Sequence, residues 1–208
     1  MTPESVRAFC FPADLDADLD RHIAYWRWMM RGGADEGIVA RFSDLVTVAS
    51  QGALNDWART PNGRLALILV LDQFPRSVFR GRATAYEQDR AALTLTEDGL
   101  QNGHFAALEH PWERTLYALP LVHAEGPGFR ARAATNVALA RETLAGSPEM
   151  LKPAYAFCLS QSLHHQAVLD EFGRHPHRND ILGRPSTAAE LTYLAAGEFP
   201  HQRDVETG

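Results

Sequence analysis

Thr60-Pro61-Asn62-Gly63-Arg64-Leu65-Ala66-Leu67-Ile68-Leu69-Val70-Leu71-Asp72-Gln73-Phe74-Pro75 is the stretch on which the fold turns. The apolar run from Leu65 to Leu71 would suit a buried strand on apolarity alone. The Thr60-Pro61 pair decides against it. Threonine is a favoured helix N-cap, and proline in the first helical position gives up an N–H that has no partner there anyway. Counted from that start the element runs over 61–73, too long for a strand, and its apolarity on every side describes a helix buried all round. Pro75 biases Phe74 away from the α region, so the helix is expected to stop there. A charged Asp72 at the mouth of so buried a helix needs a partner, and Arg76 or Arg80 is nearest in the chain.

Working outward, the same punctuation recurs. Thr2-Pro3 and Ser147-Pro148 read as helix starts, Thr187 with Glu190 makes a capping box, and Gly197 makes a stop. These signals divide the chain into helices near 3–10, 18–31, 35–50, 61–73, 85–102, 111–124, 128–145, 148–172 and 187–196. Composition agrees. The 208 residues include 31 Ala and 24 Leu against 10 Val and 4 Ile, and the first pair loses least on entering a helix. A β-sandwich or a parallel sheet is excluded on that ground. With no Gly/Ser linker, low-complexity tract or long charge block, 1–208 reads as one domain. The helix, short turn, helix rhythm implies an all-α fold of stacked antiparallel hairpins, tetratricopeptide-like in shape, although no 34-residue register repeats.

The formal net charge of −6 argues against nucleic acid as the main partner. Of the 20 basic residues only Lys152 is lysine, a bias that composition alone explains unless the arginines cluster. Cys10 and Cys158 stand far apart and outside any CxxC, so both are expected to be buried reduced thiols. The longest apolar run is seven residues, and Glu4 and Arg7 interrupt the start of the chain, so a soluble cytoplasmic protein without membrane contact is expected.

Four segments carry more polar chemistry than a surface needs: 71–76 with Arg80, 119–125, His164-His165, and 172–179. Within them Arg76, Arg80, Arg174 and Arg178 can form an anion-binding wall, with His123, His165 and His177 beside it. Asp72, Glu125 and Asn179 complete the candidate site. Two arrangements are open. In one, the acids and Asn179 pair off with the Arg and His groups as a buried network that fixes the last helices. In the other, the cluster lines a pocket for a small anionic molecule or a peptide end. A metal set of His123, Glu125, His165 and His177 is disfavoured, because residues two apart on a helix point away from each other. GxSxG, GxxxxGK[ST] and GxGxxG are absent and no motif calls for a cofactor. Acid–base chemistry through His123 or His177 stays open as a hydrolase-type alternative, and a purely structural interaction module is the third reading. A homo-oligomer is compatible with all three. Tyr25, Trp26, Trp28, Trp57 and Trp112 read mainly as core, with Trp28-Met29-Met30 as the candidate exposed patch. His104, His110 and His201 read as surface or turn residues.

The motifs 71–81, His123 with Glu125, and 172–184, in that order, resemble those of the bacterial domain-of-unknown-function family 924. The likeness runs from Phe9-Cys10-Phe11 to Ser186-Thr187. It implies a tetratricopeptide-like helical fold and carries no established reaction. Cys10, Ser77, Ala124, Gly126 and His175 stand where that family usually has Trp, Asn, Ser, Asp and Phe, so polar groups it has beside His123 are missing here.

Overall fold

The computed structural model describes residues 1–197 and 199, and among them the only regular secondary structure is helical. The elements are α1 (Pro3–Cys10), α2 (Leu19–Met30), α3 (Asp35–Ser50), α4 (Pro61–Ile68), α5 (Phe74–Val78), α6 (Asp89–Gln101), α7 (Pro111–Ala118), α8 (Pro120–His123), α9 (Phe129–Gly146), α10 (Lys152–Phe172) and α11 (Ala188–Ala196), with short 3-10 turns between several of them. His201 lies outside the described residues.

Caps explain most of the boundaries. Thr2 caps α1, Thr60 caps α4 through a bond from the Gly63 N–H at 3.1 Å, and Thr187 caps α11 in a capping box with Glu190. Gly197, at φ 70°, closes α11. Gly63 is required by the approach of the preceding turn, since a Cβ there would lie 2.2 Å from the Trp57 carbonyl oxygen.

Three expectations are corrected. The buried helix does not end at Phe74. Leu69–Gln73 is a turn of π-helix in which the Phe74 N–H reaches the Leu69 carbonyl, and the chain passes directly into α5 with Phe74 still at φ −64°, ψ −34°. The wider turn lets Pro75, at the start of α5, lie inside a nearly continuous rod. Ser147 does not start a helix either. Its hydroxyl donates to the Leu144 carbonyl at 2.8 Å, closing α9, and α10 begins only at Lys152, after a 3-10 turn. The helix expected over 111–124 is broken at Leu119-Pro120 into α7 and α8.

Leu65 to Val70 are fully buried and Leu71 nearly so, as the all-round apolarity of the run demands. This rod is the axis of the molecule: α1, α3, α6 and α7 pack around it, and their side chains form the main core. Burying each large apolar side chain there stabilises the fold by about 1.5–3 kcal/mol before chain entropy is counted. Trp112 lies in this core, its ring edge-on to Trp26 at 3.9 Å between centroids, while Tyr25, Trp26 and Trp57 are half-buried against it. Trp28 is 40% exposed, whereas Met29 and Met30 are only half-buried. Cys10 and Cys158 are free and buried. The α9 and α10 pair, joined by the short turn 147–151, forms the most extensive helix–helix contact and closes one side of a cavity against the rod.

Candidate functional site

The π turn fixes the site's innermost charge. A π turn swings side chains out of the register of a regular helix, and here it sets Asp72, with no exposed surface, against His123 at the end of α8. The His123 Nδ1–H donates to both carboxylate oxygens, at 2.8 and 2.9 Å. The Gln73 amide donates to the same carboxylate and the Arg76 guanidinium lies 3.7 Å away. Burial alone would raise the Asp72 carboxyl, but His123 and Arg76 together hold it well below the usual carboxylate range. Of the two partners expected for Asp72, Arg76 is present and Arg80 is not. Arg80 pairs with Asp35, which also accepts from the Ser77 hydroxyl at 2.7 Å.

Around this dyad lies a second paired group that the sequence did not reveal. Asp89, at the start of α6, sits between Arg76 (2.5 Å) and Arg178 (2.9 Å). Arg178 is 5% exposed and also donates to the His123 carbonyl at 2.9 Å. Both guanidiniums lie over the Tyr86 ring, 4.5 and 4.6 Å from its centroid, where its π face favours cations. Burial pushes the Asp89 carboxyl up against the pull of the two guanidiniums. Nothing near Asp89 in the chain singles it out; only the fold brings it to Arg178, across 89 positions.

Of the ten candidate residues, Arg76, Arg80, His123, His165, His177 and Arg178 line one cavity of about 580 Å³. The other four are placed elsewhere. Asp72 lies just behind the wall through His123. Arg174 forms a two-pronged pair with Glu190 (2.6 and 2.8 Å) that pulls the Glu190 carboxyl down to about 2. Glu125 is bound by Arg184 and accepts the His175 N–H at 2.8 Å. Asn179 donates to the Ser186 hydroxyl at 3.0 Å and accepts from Arg184 at 3.1 Å. Glu125 ties the segment 172–190 to the chain after α8, while the Arg174 and Asn179 bonds hold that segment together internally, so pocket and structural network coexist in adjacent layers. Arg174 is not part of the expected wall. Arg27, Arg31 and Arg114 line the cavity in addition.

The His rings form a chain, with His165 6.0 Å from His123, His175 5.8 Å from His165, and His177 5.5 Å from His175 between centroids. His175 is 1% exposed and its Nε2–H donates to the Val122 carbonyl at 2.7 Å. Burial, followed by the charge of Arg178, lowers its pKa far below the ordinary histidine value, so it stays neutral. His175 stood outside the candidate site because only the fold brings it to Val122, 53 positions away. Glu125 is turned onto Arg184, so the considered set of His123, Glu125, His165 and His177 does not converge. Among the described residues no group of three or more His, Cys, Asp or Glu is placed to hold a metal ion. No helix of the described residues is long and apolar enough to cross a membrane.

The fold and this site define an all-helical protein with a cavity whose described lining includes six arginines and three histidines. Residues 7–198 match the family described as bacterial protein of unknown function (DUF924), and the chain belongs to that family. It is similar over its length to a solved protein of unknown function from Agrobacterium tumefaciens, with 30% identity, a TM-score of 0.71, and coverage of 94% of this chain and 97% of the other. No curated protein matches it.

Proposed function

We propose that the protein binds a small amphipathic anion, a carboxylate with an apolar body, in the 580 Å³ cavity. One observation carries the reading. The chain has a net charge of −6, yet among the described lining residues there are six arginines and one carboxylate, Asp35. With Asp72 and Asp89 counted behind the wall, arginine still outnumbers acid among the described residues, and an excess of one sign in a low-dielectric cleft draws the opposite charge. Apolar side chains, among them Met29, Phe74, Leu119, Leu139, Phe157 and Ile181, share the remaining lining with polar ones such as Asn136, Gln161 and Ser162, and the apolar part suits a hydrocarbon or aromatic body rather than inorganic phosphate. A peptide end is the alternative occupant, since Asn136, Gln161 and Ser162 in the lining could pair with a peptide's own amides. We place this function in a single cytoplasmic domain of stacked, tetratricopeptide-like hairpins.

The test is a pair of thermal melts with ligands of equal tail. Decanoate is expected to raise the midpoint and decanol to leave it nearly unchanged, since a ligand at 100 times its Kd adds about 2.7 kcal/mol to stability. Equal shifts with both would remove the arginine wall from the account.

A further inference from the structure

Asp72 and His123 are arranged for more than holding a charge. A carboxylate meant only to balance Arg76 has no need of an imidazole, yet Asp72 commits both oxygens to His123 Nδ1, at 2.8 and 2.9 Å. That bond fixes the neutral ring's proton on Nδ1 and leaves Nε2 with the free electron pair. His123 is also a wall residue of the cavity, its side chain 15% exposed, while Asp72 behind it is fully buried. His175, by contrast, spends its Nε2–H on the Val122 carbonyl and is sealed from the cavity by burial. An acceptor nitrogen held in one tautomer by a buried carboxylate, at the edge of a cavity large enough for substrate, is the arrangement of a general base.

We propose that His123 is a catalytic general base and acid for the hydrolysis of carboxylic esters that carry an anionic group, with Asp72 as its positioning residue. The anionic-group preference rests on the binding reading above; the proton transfer does not. Nε2 of His123 takes a proton from a water as the water oxygen bonds to the ester carbonyl carbon. The carbonyl oxygen becomes an oxyanion within the field of the arginine wall, which stabilises developing negative charge. As the bond from carbon to the alcohol oxygen breaks, the same proton passes from Nε2 to the leaving oxygen. The products are a carboxylic acid and an alcohol, and His123 returns to its neutral form. Asp72 takes no proton; it holds the ring in place and stabilises the transient imidazolium.

The experiment follows nitrophenol release from mono-p-nitrophenyl glutarate and from the uncharged p-nitrophenyl butyrate, in parallel with a calorimetric titration of decanoate. Release above the buffer rate is expected, with the glutarate ester favoured in kcat/KM by about tenfold. His123→Asn keeps a side-chain N–H for Asp72 and lacks the basic nitrogen. It is expected to lower kcat by about 10²–10⁴-fold, the range a positioned acid–base group contributes, with an unchanged melting midpoint. Asp72→Asn is expected to lower kcat with little change in KM, and added imidazole to restore part of the rate to His123→Ala, which a purely structural role would not allow. Release at the buffer rate from both esters, or wild-type kcat in His123→Asn, overturns the proposal. Decanoate binding without turnover refutes the catalysis and leaves the binding reading standing. Turnover dependent on His123 without decanoate binding supports the catalysis and refutes that reading.

Discussion

Asp89 shows how much a single side chain can carry here. It is 7% exposed and is the shared partner of Arg76 and Arg178, so its removal strands two guanidiniums against the cavity wall. Asp89→Ala is expected to cost about 3–5 kcal/mol of unfolding free energy, as breaking a buried ion pair does; urea unfolding within 1 kcal/mol of wild type would contradict this. The Glu190 carboxyl gives a pH prediction. It is held at about 2 in the folded chain against an ordinary value of 4.5, chiefly by Arg174, so the unfolded chain binds the proton first as pH falls. The stability from this pair is complete above that ordinary value and is lost as pH falls through the folded one. Glu190→Gln should therefore melt with a shallower acid slope than wild type; identical slopes would show the pair contributes nothing. Burial pushes the Cys158 thiol up to about 12, so the native protein should label slowly with a thiol reagent near neutral pH, and fast labelling would contradict that shift. The need of Asp72 for a partner was legible in sequence because a charge stood in an apolar run. Asp89 was not, because its surroundings in the chain resemble any solvated helix start.

Among the elements, α4 and the π turn after it decide both core and site. The Thr60 cap and the Gly63 contact set where the rod begins, and their failures should differ in size. Thr60→Ala should cost about 1 kcal/mol, as a lost N-cap does. Gly63→Ala should cost about 1–3 kcal/mol, because the new methyl must displace the Trp57 carbonyl 2.2 Å away. Equal and negligible losses in chemical denaturation would mean that the entry to the rod is not specified by this turn. Helix starts at Thr2, Thr60 and Thr187 were readable because a side-chain oxygen bonds a backbone N–H a few positions on, a local event. The rod's continuation past Pro75 was not. A proline signals a break, and whether a π turn absorbs it depends on the packing of α3 and α6 against the rod, which lies outside any local window. Ser147 misled for a related reason: the same hydroxyl serves the end of one helix as readily as the start of the next.

At the scale of the molecule, an acidic chain folds so that six of its arginines line one cavity. Helical class followed from composition and caps, and the family from three ordered motifs, now matched over residues 7–198. A pocket was one of the two arrangements the sequence left open, but the rest of its lining was not legible, because α2, α7, α9, α10 and the rod contribute residues scattered through the chain. Six of the ten candidate side chains line it, and the others secure the layer behind. That the cavity holds an amphipathic anion is the central claim, and filling it is the direct test. Ala140 on α9 lines the cavity and is only half-buried, so Ala140→Trp should occupy the space with little cost to the fold. In a calorimetric titration with decanoate, the wild-type protein is predicted to bind one molecule per chain and Ala140→Trp to bind none. An absence of binding to wild type, or equal binding to both proteins, would contradict it.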